Sequence, residues 1–169
     1  MAIEMDPVRA AKRVAAEYKA TAEFANDKAL RLFDKGDGDA RWLPFIKALN
    51  DQGVRVQIFS KRPEFLRQVP EVNLRLLSVD ESNVQMAEQN QDLPVAFVYG
   101  GKEQLDDLAR IAARGQIQVV LPVRVGRNLL DGSEVKELKN SIPGIGKHIC
   151  PIDAGIKEIG PNSDPTKWN

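Results

Sequence analysis

The sequence predicts an α/β fold, a parallel sheet of about five strands joined by βαβ crossovers. Three observations lead there. Short apolar, β-branched runs recur along the chain; stretches of helical periodicity separate them; and Gly, Asp, Asn and Pro punctuate the junctions. Strands alternating with helices favour parallel pairing, because a right-handed crossover returns the chain to the same end of the sheet.

The elements follow in order. Asp6 is a good N-cap and Pro7 fits the first helical position. Val8, Ala11, Ala15, Tyr18 and Ala22 then recur at helical spacing, so an Ala-rich, shallow helix is expected to run to Asn26 and Asp27. Residues 29–33 read as the first strand, followed by a polar turn through Asp39. Trp42, Phe45, Ile46 and Leu49 mark a helix closed by Gly53, with Pro44 in or near its first turn. Residues 54–59 form the second strand and 65–69 a short helix. Residues 74–79 form the third strand, with a helix around 84–89. Residues 94–99 form the fourth strand, and Gly100-Gly101 leads into the clearest helix, 102–114, where Leu105, Leu108, Ile111 and Ala112 share a face and Gly115 stops it. Residues 117–121 make the fifth strand, 133–138 a short helix, and the segment after Ile142 is rich in Gly and Pro. The expected organisation is an N-terminal helical segment at 1–28, the sheet domain at 29–141 and a tail at 142–169. Periodicity alone does not separate an open doubly wound sheet from part of a (β/α) barrel; both carry functional groups in the loops after the strands' carboxyl ends.

Composition bounds the function. Lys+Arg and Asp+Glu both number 24, so the chain lacks the broad basic field of a general nucleic-acid binder. The single cysteine, Cys150, rules out an intramolecular disulfide and suits a reducing compartment. The start of the chain has no apolar signal core, and apolar runs of about five residues fall far short of the ~20 that span a bilayer. The cytoplasm is the expected location, with no membrane partner.

The strand ends are polar. The first carries Asp34, Gly36 and Asp37; the second Ser60, Lys61 and Arg62; the third Ser78, Asp80 and Glu81; the fourth Tyr99, Gly100 and Gly101; the fifth Arg124. In a parallel sheet these meet at one edge, where carboxylates facing Lys and Arg suit a zwitterionic or phosphorylated ligand, although polar caps and turns account for any one of them. Sharper motifs fail on spacing. A calcium loop begun at Asp34 needs Glu at its twelfth position and has Phe45. Gly36-Asp37-Gly38 has Arg41 where a dinucleotide fingerprint has its third glycine. Gly100-Gly101 amides would suit a phosphate, though a tight strand-to-helix turn explains them as well. His148 and Cys150 are two metal-ligand types two residues apart, and with Asp153 they fall short of the four that structural zinc takes. Trp168 stands alone in the tail.

Residues 29–81 carry a resemblance. ALRLFDKGDGD, VQIFSKRPEFL and VNLRLLSVDES resemble the middle of radical-SAM-superfamily barrels, nearest to the spore-photoproduct-lyase-like and phage-borne branches. Those have strands ending in Gly-Asp, in Thr-Lys-Arg-Pro-Glu and in Ser-Val-Asp. The matching residues here are Gly36-Asp37, Ser60 to Glu64 and Ser78 to Asp80, with Ser60 in place of Thr. PVAFVYGG and IQVVLPVR continue it more loosely. The resemblance implies a partial (β/α) barrel of phage or mobile-element type, with S-adenosylmethionine at the strand ends. Gly36 and Asp37 would lie by its amino group, Lys61 by its carboxylate, flanked by Ser60 and Arg62, and Ser78 and Asp80 by its ribose. The chain departs from the family in lacking the Cys-x-x-x-Cys-x-x-Cys motif, so it does not bind the iron–sulfur cluster by itself. The expectation is therefore a non-catalytic binding or interaction module, whose open sheet edges favour a homo-oligomer or a protein partner. The alternatives are one subunit of a split S-adenosylmethionine-dependent radical enzyme, or a nucleic-acid-associated module using Lys61, Arg62, Arg67, Arg124 and Arg127.

Overall fold

The computed structural model describes residues 6–32, 37–123 and 130–150. Asp34, Gly36, Arg124, Arg127, Asp153 and Trp168 lie outside them. The elements are α1 Pro7–Lys19, α2 Ala22–Ala25, β1 Leu30–Leu32, a 3₁₀ turn Ala40–Trp42, α3 Leu43–Asp51, β2 Val56–Ser60, α4 Pro63–Gln68, β3 Leu74–Val79, α5 Gln85–Gln89, β4 Val95–Val98, a 3₁₀ turn Lys102–Gln104, α6 Leu105–Ala113, β5 Ile117–Leu121, α7 Gly132–Ser141 and a last 3₁₀ turn Ile145–His148.

The strands form one parallel sheet in the order β1-β2-β3-β4-β5. Each crossover therefore steps in the same direction. Among the described residues the order never reverses, so no topological switch point of the doubly wound kind occurs there, and the strand order is consistent with part of a (β/α) barrel. No described helix is long and apolar enough to cross a membrane.

The chain divides into two compact units, Met1–Leu76 and Leu77–Trp168. In the first, Asp6 caps α1 by accepting from the Arg9 amide, with Pro7 beside it. The helix breaks earlier than its periodicity predicts. Thr21 donates to the Tyr18 carbonyl and its Oγ accepts from the Phe24 amide, which ends α1 and starts α2. Of the predicted stripe only Ala11 and Ala15 are buried, where α1 packs on α3; small side chains let the two backbones approach. β1 and β2 pair Leu30 with Val56 and Leu32 with Ile58. On β2, Val56, Ile58 and Ser60 are fully buried while Gln57 and Phe59 are half-exposed, the alternation of a strand covered on one face. On the less covered face the Arg31 guanidinium sits 4.8 Å from the Phe59 ring centre. Gly53, at φ 75°, turns the chain from α3 into β2.

An amide clasp holds the start of β2. Asn73 and Asn50 exchange side-chain hydrogen bonds of 2.8 and 2.9 Å. Asn73 Oδ1 also accepts from the Val56 amide at 2.9 Å, and its Nδ2 donates to the Pro70 carbonyl. Asn50 Nδ2 donates to the Val54 carbonyl. The group satisfies the Val54 carbonyl and the Val56 amide where the chain enters β2.

In the second unit Leu77 and Val79 pair with Val95 and Phe97 on one face, and Ser78 with Ala96 on the other. Phe97, Leu108, Ile111 and Leu138 are fully buried around it, each contributing about 1.5–3 kcal/mol. The β4–β5 register slips at Gln118, since Val95 pairs with Ile117 but Ala96 with Val119. The carbonyl of that bulged residue meets His148 Nδ1 at 3.2 Å. Buried Gln116 spreads its Nε2 over the Ala87, Asn90 and Leu93 carbonyls. Beyond α7, Ile142, Ile145 and Ile149 are buried, Val120 bridges to Ile149 in parallel, and the Cys150 amide donates to the Val120 carbonyl at 2.9 Å. The outer edge of β5 is thus met by the chain itself.

Candidate functional site

In the first unit the strand ends close on themselves. Asp37 Oδ1 accepts from the Lys61 amide at 2.8 Å, tying the exit of β1 to that of β2. Ser60 is fully buried, and its Oγ accepts from the Arg62 amide in a tight local turn. Asp39 grips Arg41 through its backbone amide and a forked guanidinium contact of 2.8–3.2 Å, with Arg62 4.0 Å away. The Arg41 hydrogen bonds hold the Asp39 carboxyl down to about 2. Of the five expected ligand residues here, Asp37, Ser60, Lys61 and Arg62 come together, but the polar atoms of Asp37 and Ser60 serve the backbone. Gly36 lies outside the described residues.

In the second unit the strand ends open. A cavity of about 820 Å³ is lined by Asp80, Glu81, Ser82, Val98, Gly100, Gly101, Lys102, Glu103, Gln104, Val123 and Glu134. Each side chain has a local reason to be there. Asn83 fixes the exit of β3: its Oδ1 accepts from the Asp80 amide and its Nδ2 donates to the Ser78 carbonyl. Asp80 Oδ1 in turn accepts from the Ser82 amide at 2.9 Å. After β4, buried Gln104 folds back so that its Oε1 accepts from the Gly100 amide at 2.6 Å, while Nε2 lies 3.5 Å from Glu81 Oε2. The Gly100 amide is therefore occupied, and the glycine pair works as a tight turn rather than as a phosphate cradle. Glu134 comes from the start of α7, where it completes a capping box with Asp131.

The lining is acidic. Among the described lining residues four carboxylates accompany one ammonium, and Lys102 is itself bound to Glu137 at 2.7 Å. That hydrogen bond raises the Lys102 pKa above its usual value. Tyr99, buried at the end of β4, has its phenol pushed up by burial and then by Glu103, Glu137 and Glu134. Such a site suits positive charge or hydroxyl donors and disfavours phosphate.

Among the expected residues, Asp80 lines the cavity, while Ser78 lies in β3 with its carbonyl bound to Asn83. Sequence reasoning passed over Lys102, Glu103, Gln104 and Glu134. The Asp131-x-x-Glu134 capping pattern was a readable signal for the last. His148 and Cys150 are held to β5 through Gln118 and Val120, and among the described residues no group of three His, Cys, Asp or Glu is placed to hold a metal ion. Comparison with protein-family models, with curated proteins and with solved structures found no significant match to this chain.

Proposed function

We propose that this chain is a non-catalytic, radical-SAM-like binding module that takes a small ligand at the strand ends of its second unit. The cavity beyond β3, β4 and β5 carries this reading, since it lies where parallel α/β sheets bind ligands and has room for one of nucleoside size. S-adenosylmethionine is the first ligand to test. Its ammonium and sulfonium groups suit Asp80, Glu81 and Glu103, and its ribose hydroxyls suit the same carboxylates. When bound beside a cluster this cofactor supplies radical chemistry. A single cysteine does not provide the three thiolates of that cluster, so this chain's residues bind and orient only.

The test is calorimetric titration of S-adenosylmethionine into the full chain and into Asp80→Asn. Saturable one-to-one binding, weakened in the variant, supports the reading. Heat unchanged from buffer sinks it for this ligand. Binding that appears only with a second, cluster-bearing chain present would favour the split-enzyme alternative.

A second reading concerns the edge. β1 ends the strand order, is three residues long, and among the described residues no strand pairs with its outer side. Pairing there with a second copy or a partner chain would cover it. Light scattering at tens of micromolar checks self-pairing, and a strictly monomeric mass removes it.

A further inference from the structure

The described walls of the cavity carry more negative than positive charge. Among the described residues that line it, Asp80, Glu81, Glu103 and Glu134 are set against one cation, Lys102. That cation is spent on Glu137, at 2.7 Å. Val98 and Val123 give the cavity an apolar stretch beside the carboxylates. The geometry points to a protonated aliphatic amine as the class of ligand, its methylenes on Val98 and Val123 and its ammonium among the carboxylates. Lys102 is the resident ammonium with which such a ligand shares the walls.

This inference rests on the reading of the cavity as the binding site. Independent observations favour it. Lys102, one of the lining residues, holds its ammonium on the Glu137 carboxylate, 2.7 Å away and outside the lining. The amide that an anion would use, at Gly100, is already bound to Gln104. The phenol of Tyr99, next to the lining residue Gly100, is pushed up first by burial and then by Glu103, Glu137 and Glu134.

The resident cation makes the test signed. Removing it leaves Glu137 without its ammonium and gives an incoming amine one more carboxylate; removing a wall carboxylate does the reverse. Spermidine and ATP are titrated calorimetrically into the full chain, into Lys102→Met and into Glu103→Gln, with thermal melts confirming that each variant folds. One-to-one spermidine binding is expected, weakening as salt rises, with no ATP binding. Lys102→Met should tighten spermidine about threefold to tenfold and Glu103→Gln should weaken it by a similar factor, the size of one nearby charge in solvent-exposed surroundings. Spermidine binding that ignores both variants is non-specific and overturns the inference, as does ATP binding of comparable strength. If S-adenosylmethionine binds in a manner sensitive to Asp80→Asn while spermidine does not bind, the amine inference falls and the cavity reading stands. If neither binds, both fall.

Discussion

The exits of β1 and β2 and the exits of β3, β4 and β5 are built from the same residue types and reach opposite conditions. In the first region every named carboxylate finds a donor close by: Asp37 takes the Lys61 amide, and Asp39 takes Arg41. In the second, the amide side chains of Asn83 and Gln104 share the capping of the backbone with Asp80 and Glu134, and Glu81 and Glu103 join those two carboxylates in lining a cavity. The difference teaches that a polar strand end opens into a cavity where side-chain amides share with carboxylates the work of capping the backbone.

This contrast can be broken by mutation. The largest effect belongs to the first unit, at the opposite end of its strands. Asn73→Ala removes the acceptor of the Val56 amide and the partner of Asn50, and should cost about 2–4 kcal/mol in denaturant unfolding. A loss under about 0.5 kcal/mol would mean that water replaces the clasp. Next, Asp37→Ala frees the Lys61 amide and should cost about 1 kcal/mol of stability while leaving ligand titrations unchanged. Glu81→Gln should do the opposite, holding stability within about 0.5 kcal/mol while weakening whatever cation the cavity takes. If Asp37→Ala abolished binding, the division of labour between the two regions would be wrong.

The smallest effect is on pH dependence. Asp39 titrates at about 2 in the folded chain, below an unfolded carboxylate near 3.9, so the folded state holds fewer protons there. Its contribution is complete above pH ~4 and is lost as pH falls through 2. The thermal melts of Asp39→Asn and the parent should therefore converge on acidification from pH 4.5 to 2; parallel curves would show that Arg41 does not hold the carboxyl.

Much of the fold was legible because its signals are local. β3 and β5 are found where the apolar runs at 74–79 and 117–121 place them. Asp6 and Pro7 cap and open α1, and Gly53 and Gly115 have the positive φ that follows a helix end. The break at Thr21 was hidden, because Ala22 and Phe24 continue an apolar pattern through it. The site was less legible for a definite reason. Polar residues at strand ends show in the sequence, but whether a carboxylate is spent depends on amides such as Gln104, which obey no periodicity. Asn50 and Asn73 illustrate the same difficulty, being 23 residues apart. The resemblance singled out Ser60, whose buried hydroxyl holds its own turn.

The bridge from Val120 to Ile149 has a consequence for how copies of this chain can grow together. A sheet open at both sides can add molecules head to tail without limit. Here the β5 side is met by the chain's own Ile149 and Cys150, so among the described residues β1 is the edge at which a second copy would have to add. Two copies meeting there would pair like with like about a twofold axis and use up the growing side of both. Assembly of that kind terminates at two.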